Sequence, residues 1–174
     1  FTFDRQRAMI ILEYLARTSP GLLLSFAIGI RSEDLDEEFV SLLKKAGTFR
    51  VSLGIESGDP EILEKMDKRL NLDKLRRAVG LLKKYRIATT GMFVLGFPGE
   101  KKEEVMQTLD FPFQVGFDSA SFFIVNPLPG SELYDFCIRK NYINEDYKTS
   151  MDFKSVNINI PKESSDYNID PKEL

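Results

Sequence analysis

The sequence contains no histidine, and Cys137 is its single cysteine among 174 residues. Without histidine, the chain has no imidazole to ligate a metal, act as a general base or shuttle a proton. One thiol cannot form an internal disulfide, and it cannot hold a zinc ion or an iron–sulfur cluster alone. The chain therefore has no metal centre of these kinds built only from its own residues, and the lack of a disulfide framework favours a reducing, cytoplasmic setting.

Long apolar runs and an excess of basic residues are also absent. Hydrophobic residues make up 43% of the chain, but no run is long enough to span a bilayer and no signal-peptide pattern opens the sequence. The formal net charge of -3 gives no electrostatic footprint for nucleic acid. We expect one globular unit with a small-molecule substrate and no membrane or nucleic-acid partner. Because the sequence opens on Phe1 and enters a helix pattern at once, we also expect a fragment of a longer protein.

What the sequence does contain is a regular alternation of helix and strand patterns. Short apolar segments predict strands at residues 22–30, 49–55, 87–95 and 119–125. The first is a continuous apolar run, which is typical of a strand buried on both faces. Amphipathic patterns predict six helices, which begin at Asp4, Ser32, Asp59, Asn71 or Asp73, Glu100 and Glu132. The second helix is expected to reach residue 46, the fifth to reach residue 115 and the last to reach residue 141. We expect Pro112 to end or kink the fifth helix early. This order predicts an α/β fold with about four parallel strands, each followed by a helix.

Such units build either a doubly wound sheet or part of a (β/α) barrel. Glycine and polar residues follow every strand, at residues 29–31, 54–58, 96–100 and 126–130. Since a doubly wound sheet needs such signals after only one or two strands, we predict a partial TIM-like barrel with its ligand cleft at the carboxyl ends of the strands. From residue 142 the pattern becomes irregular. It is compatible with a short strand at residues 156–160 and with a tail across the barrel edge.

Two charged side chains follow the first two strands. Arg31 is able to clamp a ligand carboxylate, or to pair with Glu33 or Asp34 in the next loop. Glu56 stands between glycines, where its carboxylate is able to accept hydrogen bonds from the vicinal hydroxyls of a ribose. The alternative for Glu56 is a surface carboxylate at a helix start, but Asp59 already fills that role.

The third strand and its turn read GMFVLGFPGE, residues 91–100. Alternation places Phe93 and Leu95 on one face of the strand, either as core or as apolar contacts for a ligand. Glycine inside a strand is destabilising and marks a bulge or a close approach, so Gly91 and Gly96 predict that a flat ligand approaches this backbone. Glu100 is interpreted as an acid in the first turn of the following helix, where the helix dipole favours a negative charge.

The combination of segments carries a family resemblance. The ordered set is FTFD, Arg31, LGIESGDPEIL, AVGLLKKYRI, GMFVLGFPGE and VNPLPGSELY. It resembles the second half of the radical S-adenosylmethionine core over residues 1–138. The likeness is closest to the branch with cobalamin-dependent members, anaerobic magnesium-protoporphyrin ester cyclases and methylthiotransferase-like enzymes. We therefore divide the chain into the C-terminal part of a partial barrel, residues 1–138, and a helix end with a mostly irregular tail, residues 139–174.

The resemblance implies a parent enzyme, an oxidoreductase or transferase, that cleaves S-adenosylmethionine reductively. In that family a partial (β/α)6 barrel holds a [4Fe–4S] cluster on three cysteines spaced C-x3-C-x2-C, and the cleavage yields a 5′-deoxyadenosyl radical. Cobalamin is left open as a further cofactor. This sequence has no such cysteine triplet. We therefore expect the cluster loop to lie upstream and the fragment to be inactive alone, with no catalytic or metal-ligating residue of its own.

The resemblance also implies which residues bind the cofactor. Glu56 and Ser57 match the motif that binds the ribose, and residues 91–100 match the strand that contacts the adenine, although Glu100 lies four residues after Gly96 where the common form has three. Arg31 matches an arginine that contacts either the substrate or the methionine carboxylate. The implied cofactor-binding set is Arg31, Glu56, Ser57, Phe93, Leu95, Gly96, Asn126 and Leu128.

Two other functions fit the same residues. One is a barrel enzyme without a cluster, which would use Glu56 and Arg31 for proton transfer on an anionic substrate. The other is a noncatalytic interaction module built from half a barrel. In every case half a barrel has two open sheet edges, so we expect the fragment to dimerise through them or to cover an edge with its tail.

Overall fold

The computed structural model describes residues 1–144 and 147. Within these residues four strands form one sheet: β1 (Leu24–Ile30), β2 (Thr48–Glu56), β3 (Ala88–Leu95) and β4 (Ser119–Ile124). The strand order is β1-β2-β3-β4, and every neighbouring pair is parallel. The predicted α/β fold with four parallel strands is confirmed.

The same residues contain six α-helices: α1 (Arg5–Thr18), α2 (Glu37–Lys45), α3 (Pro60–Lys65), α4 (Leu72–Lys84), α5 (Lys102–Val115) and α6 (Glu132–Arg139). Among them, none has both the length and the apolar content that crossing a bilayer requires. The predicted boundary after residue 138 falls in the last turn of α6, and it stays a prediction. The strand expected at residues 156–160 lies outside the described residues.

Short polar side chains fix where the helices begin. As predicted, Asp4 caps α1 by accepting the Arg7 N–H at 2.9 Å, and Asp59 caps α3. The second predicted helix starts later than expected. Its first residues form a short 3-10 helix, and Asp36 then accepts the Phe39 N–H at 2.9 Å to start α2. A local cap therefore divides what the periodicity predicts as one helix.

The helix after β3 also differs from its prediction at both ends. It begins at Lys102 rather than at Glu100, and it continues through Pro112 to Val115. The expected early stop at Pro112 is wrong because that residue already lies in the last turn. Gly116, with a φ of 82°, then ends the helix by donating its N–H to the Pro112 carbonyl at 2.8 Å.

The main hydrophobic core lies between one face of the sheet and the helices. Val51, Leu53 and Ile55 of β2 alternate toward that face and are at most 1% exposed. Buried side chains of α1, α2 and α4 pack against them. A smaller cluster of apolar side chains joins α6 to the end of β4 and comprises Val125, Tyr134, Cys137, Tyr142 and Ile143. This cluster also contacts Val94 of β3, so it packs at the carboxyl ends of β3 and β4.

The outer strands are more exposed than predicted. Ile28 of β1 is 97% exposed, and five of the six residues of β4 are exposed, including Phe123 at 55%. The expectation that the first strand is buried on both faces is wrong, because β1 lies at the sheet edge and no described residue covers Ile28. Both outer strands present open edges within the described residues.

Candidate functional site

All four strands end at the same edge of the sheet because they run parallel. Beyond the ends of β1 and β2 lies a cleft of about 690 Å³. Residues 1–3, the loop after β1, the end of β2 and the connection between α3 and α4 form its walls. Both Arg31 and Glu56 line it, as predicted. This is the position at which (β/α) barrels bind their ligands.

Glu56 ends β2 in an unusual backbone conformation. Its φ is 75°, in the left-handed region that disfavours residues other than glycine. The pairing of β2 with β3 becomes irregular between Gly54 and Glu56, at the same point. The left-handed conformation costs roughly 1–2 kcal/mol, and such residues are concentrated at functional sites. Among the described residues, Asp67, Arg86 and Asn141 also have positive φ, but all three follow helix ends, whereas Glu56 belongs to a strand.

Lys68 holds the Glu56 carboxylate in the cleft. Its Nζ donates to Glu56 Oε1 at 3.0 Å, and the two side chains are 36% and 31% exposed. A pair this exposed contributes less than about 1 kcal/mol to stability. Lys68 lies in the connection between α3 and α4, and it was not predicted as a site residue. No local pattern distinguishes it from neighbouring basic residues, because only the tertiary fold brings it to Glu56.

Arg31 reaches the same cleft with a weakly held side chain. Its Nε lies 3.9 Å from Glu33 Oε2, beyond hydrogen-bonding distance, and the side chain is 66% exposed. The pairing with the following loop is thus present but loose. The guanidinium is able to bind an anionic group in the cleft without breaking a strong bond.

Two glycines on neighbouring strands leave the backbone of this cleft uncovered by side chains. A Cβ built on Gly29, whose φ is 105°, would lie 3.1 Å from the Met92 side chain and 3.5 Å from the Ser52 carbonyl. A Cβ on Gly54 would lie 3.2 Å from Glu56 Oε1. Any larger residue at either position would crowd these groups. Beside the Glu56 carboxylate, the cleft is therefore lined by peptide groups and the Met92 thioether.

Ser57, by contrast, is fully buried behind the strand end. Its hydroxyl lies 3.0 Å from Thr108 Oγ1 of α5 and accepts the Asp59 N–H at 3.1 Å. The Gly58 N–H also donates to Thr108 Oγ1, at 3.1 Å. The structure does not bring the Ser57 side chain into the cleft. It ties the turn after Glu56 to α5.

The side chains of β3 divide between the two faces of the sheet. Phe93 and Leu95 are 0% and 6% exposed and pack in the core, which is one of the two roles left open by the sequence. The space beside Gly91 is also filled, because a Cβ there would lie 2.7 Å from the Phe93 ring. Met92 lines the cleft, and Val94 packs on the smaller cluster. The face opposite Phe93 is therefore the one that reaches the cleft, at Met92.

The turn after β3 is closed by Glu100. Gly96, with a φ of 80°, donates its N–H to Glu100 Oε2 at 2.6 Å. Burial raises the pKa of Glu100 to about 7, and the backbone N–H groups of Gly96 and Phe97 oppose that rise. The prediction that Glu100 is an acid in the first turn of the following helix is wrong, because α5 starts at Lys102 and the Glu100 side chain, 0% exposed, is buried before the helix.

Asn126 and Leu128 follow β4 and do not line the cleft. Asn126 Oδ1 accepts a hydrogen bond from the Tyr147 hydroxyl. Leu128 is 49% exposed, and its carbonyl accepts the Ser131 N–H at 3.0 Å and the Ser131 hydroxyl at 2.7 Å. The eight predicted residues are therefore not one cluster. Arg31 and Glu56 share a cleft, and the others lie in the core or farther along the strand ends.

Comparison with known proteins decides the family. The model of the radical SAM superfamily matches residues 2–111, more than half of the chain. This chain belongs to the radical SAM superfamily. An uncharacterized methyltransferase of Pyrococcus horikoshii is 34% identical over 143 residues, which are 82% of this chain and 31% of that protein. The anaerobic magnesium-protoporphyrin IX monomethyl ester cyclase of Rubrivivax gelatinosus is 30% identical over 76% of this chain and 24% of its own length.

A solved radical SAM protein shares the fold. The methyltransferase TsrM of Kitasatospora setae, with cobalamin and a [4Fe-4S] cluster bound, matches with a TM-score of 0.64 and 25% identity over 73% of this chain and 26% of its own. The branch indicated by the sequence motifs is confirmed. The chain spans about a quarter to a third of the length of these relatives.

The residues of this radical SAM chain do not fit an iron–sulfur cluster. The sequence offers a single cysteine and no histidine. Cys137 is fully buried in the smaller cluster beside α6, and burial raises the pKa of its thiol to about 11. Among the residues that the structure describes, no three acidic, cysteine or histidine side chains come together as metal ligands do. The cleft itself is lined by three acidic side chains, Glu33, Glu56 and Asp67, and by three basic ones, Arg31, Lys68 and Arg69.

Proposed function

We propose that this chain forms the S-adenosylmethionine-binding side of a radical SAM enzyme, an oxidoreductase or transferase. The observation that carries the proposal is Glu56, held in a left-handed conformation with its carboxylate 3.0 Å from Lys68 in the cleft at the strand ends. The [4Fe–4S] cluster of the whole enzyme would supply the electron that cleaves the sulfonium and yields the 5′-deoxyadenosyl radical. Because this chain lacks the cysteines for that cluster, it is inactive alone.

Each cleft residue has a task that suits its chemistry. The Glu56 carboxylate accepts hydrogen bonds from the two ribose hydroxyls. Lys68 and Arg31 supply positive charge for the carboxylate of the methionine part. Gly29 and Gly54 let the ligand approach the backbone closely. All five residues line the same cleft, which supports this assignment.

The other predicted positions belong to the proposal in supporting roles. Ser57, Phe93 and Leu95 hold the strand ends from the core. The backbone at Gly96 and the segment from Asn126 to Leu128 extend the binding surface toward β3 and β4. This division follows the burial of the side chains.

Binding of S-adenosylmethionine to the chain tests the first step. We expect Glu56→Gln to weaken binding by roughly 10- to 100-fold, because a hydrogen bond to a charged group contributes about 1.5–3 kcal/mol. Glu13→Gln is the matched control, since Glu13 is an exposed carboxylate on α1, and it should bind as the wild type does. Isothermal titration measures both. Equal affinity of the two variants would refute the role of Glu56.

The whole enzyme provides the second test. We expect the longest natural protein that contains this chain, reconstituted anaerobically with iron and sulfide, to form 5′-deoxyadenosine when reduced with dithionite. Cobalamin dependence belongs to the same proposal and is supported by the cobalamin-bound relative. Repeating the assay with and without added hydroxocobalamin tests it. A cluster-bearing protein that cleaves no S-adenosylmethionine would overturn the proposal.

Two observations would favour the other functions instead. Acid–base turnover of an anionic substrate by the chain alone would support a cluster-independent barrel enzyme that uses Glu56 and Arg31. Failure of the whole protein to bind any nucleoside would support an interaction module. A reducing, cytoplasmic setting is part of our proposal, and the single buried cysteine is consistent with it.

A further inference from the structure

One face of the sheet carries hydroxyl groups and a single charge. Side chains alternate along a strand, so Arg50, Ser52 and Gly54 of β2 point away from the main core, to which the residues between them belong. The strand register pairs Ser52 with Thr90, and Thr90 with Ser119. We call this surface the hydroxyl face. It comprises Ser25, Arg50, Ser52, Thr90, Ser119 and Ser121.

Arg50 is the only charged residue of the hydroxyl face. It is exposed, and within the part of the chain that the structure describes its side chain forms no ion pair or hydrogen bond. Its neighbours across the sheet are Ser25 of β1 and Ala88 of β3, neither of which carries a charge. Arg50 therefore places on this face a positive charge that no described residue neutralises.

The hydroxyl face continues into the cleft at the strand ends. Gly54 and Met92 are neighbours in the strand register, and both line the cleft. Met92 extends over this face, because a Cβ built on Gly29 would lie 3.1 Å from its terminal methyl group. Arg50 stands four residues before Gly54 on β2, which is about 13 Å at about 3.3 Å per residue. A ligand that lies on the cleft floor and extends this far along β2 reaches the guanidinium.

The hydroxyl groups near Arg50 suit an anionic ligand. Thr90 Oγ1 and Ser119 Oγ lie 2.8 Å apart, so one donates to the other and one hydroxyl hydrogen of the pair remains for a ligand. Because the face holds one positive charge, a carboxylate group is its match. A phosphate group carries roughly 1.5 to 2 negative charges at neutral pH and would exceed that charge.

We propose that Arg50 binds the carboxylate of the substrate, which is therefore an organic acid with one negative charge far from its reacting end. The inference rests on the proposed function and deepens it by naming the substrate class. The reacting end of the acid lies at the cleft, and its carboxylate lies on the hydroxyl face, where the guanidinium donates two parallel hydrogen bonds to it. An uncharged molecule of the same length lacks these bonds and should bind less tightly.

The experiment uses the full chain, labelled with ¹⁵N, and octanoate as the probe, a linear acid with one charge. We expect octanoate to shift the Nε–H resonance of Arg50 and the amide resonance of Ser52. Octanamide has the same length and no charge, so it should shift neither. The comparison of the two probes separates binding through the carboxylate from apolar contact elsewhere on the surface.

Variants of the arginine give the second measurement. We expect Arg50→Gln to weaken octanoate binding roughly tenfold, because it removes a hydrogen-bonding group that carries a charge. Arg50→Lys keeps the charge and loses the paired donors, so it should weaken binding less. Arg77→Gln is the matched control, since Arg77 is an exposed arginine on α4, and it should bind octanoate as the wild type does.

Isothermal titration with S-adenosylmethionine separates the two proposals. Arg50 does not line the cleft, so Arg50→Gln should bind S-adenosylmethionine as the wild type does, and the saturated wild type should still bind octanoate. If the wild type binds S-adenosylmethionine but not octanoate, or if Arg50→Gln and Arg77→Gln bind octanoate equally, the role of Arg50 is overturned. If octanoate binds through Arg50 but S-adenosylmethionine does not bind, the proposed function fails, and the assignment of Arg50 to its substrate fails with it.

Discussion

Thr108 of α5 is the residue whose loss tests most directly how the end of β2 is held. It is fully buried, and its hydroxyl binds Ser57 Oγ at 3.0 Å and the Gly58 N–H at 3.1 Å. Thr108→Val keeps the shape of the side chain but removes both bonds. Ser57 keeps its bond to the Asp59 N–H, at 3.1 Å, whereas Gly58 loses the partner of a buried N–H.

The expected destabilisation follows from these two losses. A buried N–H left without a partner costs about 1–3 kcal/mol, and one neutral hydrogen bond contributes about 0.5–1.5 kcal/mol. We therefore expect Thr108→Val to lower the free energy of unfolding by roughly 2–4 kcal/mol. Urea unfolding followed by circular dichroism measures this value. The slope of the transition should stay unchanged, because the surface exposed on unfolding is the same.

Thr90→Val provides the matched control. Thr90 makes the same kind of bond, 2.8 Å from Ser119 Oγ, but at an exposed position where water replaces the lost partner. We expect its effect to stay within about 0.5 kcal/mol. If Thr108→Val costs no more than Thr90→Val, the Thr108 hydroxyl does not anchor the turn after Glu56, and the reasoning is wrong.

Three further predictions concern the core, the loss of stability at low pH and the sheet edges. Gly91→Ala places a methyl group 2.7 Å from the Phe93 ring and should lower the free energy of unfolding, measured with urea, by about 1–3 kcal/mol. Gly80 lies in a helix with open space around it, so Gly80→Ala should instead raise the free energy of unfolding. The Asp118 carboxylate accepts the Thr89 N–H at 2.8 Å, which holds its pKa below 3.8. The contribution of the ionised Asp118 carboxylate to the free energy of unfolding is complete above pH 3.8 and is lost as pH falls through the lower pKa of the folded state. The wild type should therefore be more stable than Asp118→Asn near neutral pH, and this difference should shrink when unfolding is measured at acid pH. A constant advantage would contradict this. Finally, the isolated chain should dimerise through its open edges in sedimentation equilibrium, unless its tail covers them; a strict monomer with an uncovered edge would be evidence against it.

The strands and most helices were predictable because their signals are local. Apolar segments bounded by glycine and polar residues located all four strands, and Asp4 and Asp59 marked two helix starts correctly. Burial of the outer strands was not predictable in the same way. A continuous apolar segment such as the one around Ile28 has the same composition whether or not another element covers it.

Residues of the candidate site were predictable only where they lie at the carboxyl end of a strand. Arg31 and Glu56 were found because glycines and polar residues follow their strands, and both line the cleft. Lys68 was missed since its contact with Glu56 depends on the tertiary fold. Glu100 was misinterpreted for a related reason. The dipole of the following helix favours an acid in its first turn, whereas the Glu100 side chain turns back into the interior before the helix begins.

The left-handed backbone of Glu56 has a consequence for how this chain can be engineered. Glycine adopts that conformation without strain, so Glu56→Gly should gain roughly 1 kcal/mol of stability while removing the carboxylate. A screen that selects for thermostability alone would therefore favour the loss of this side chain. Stability and the proposed ligand recognition thus oppose each other at a single residue, and selecting for both should retain Glu56.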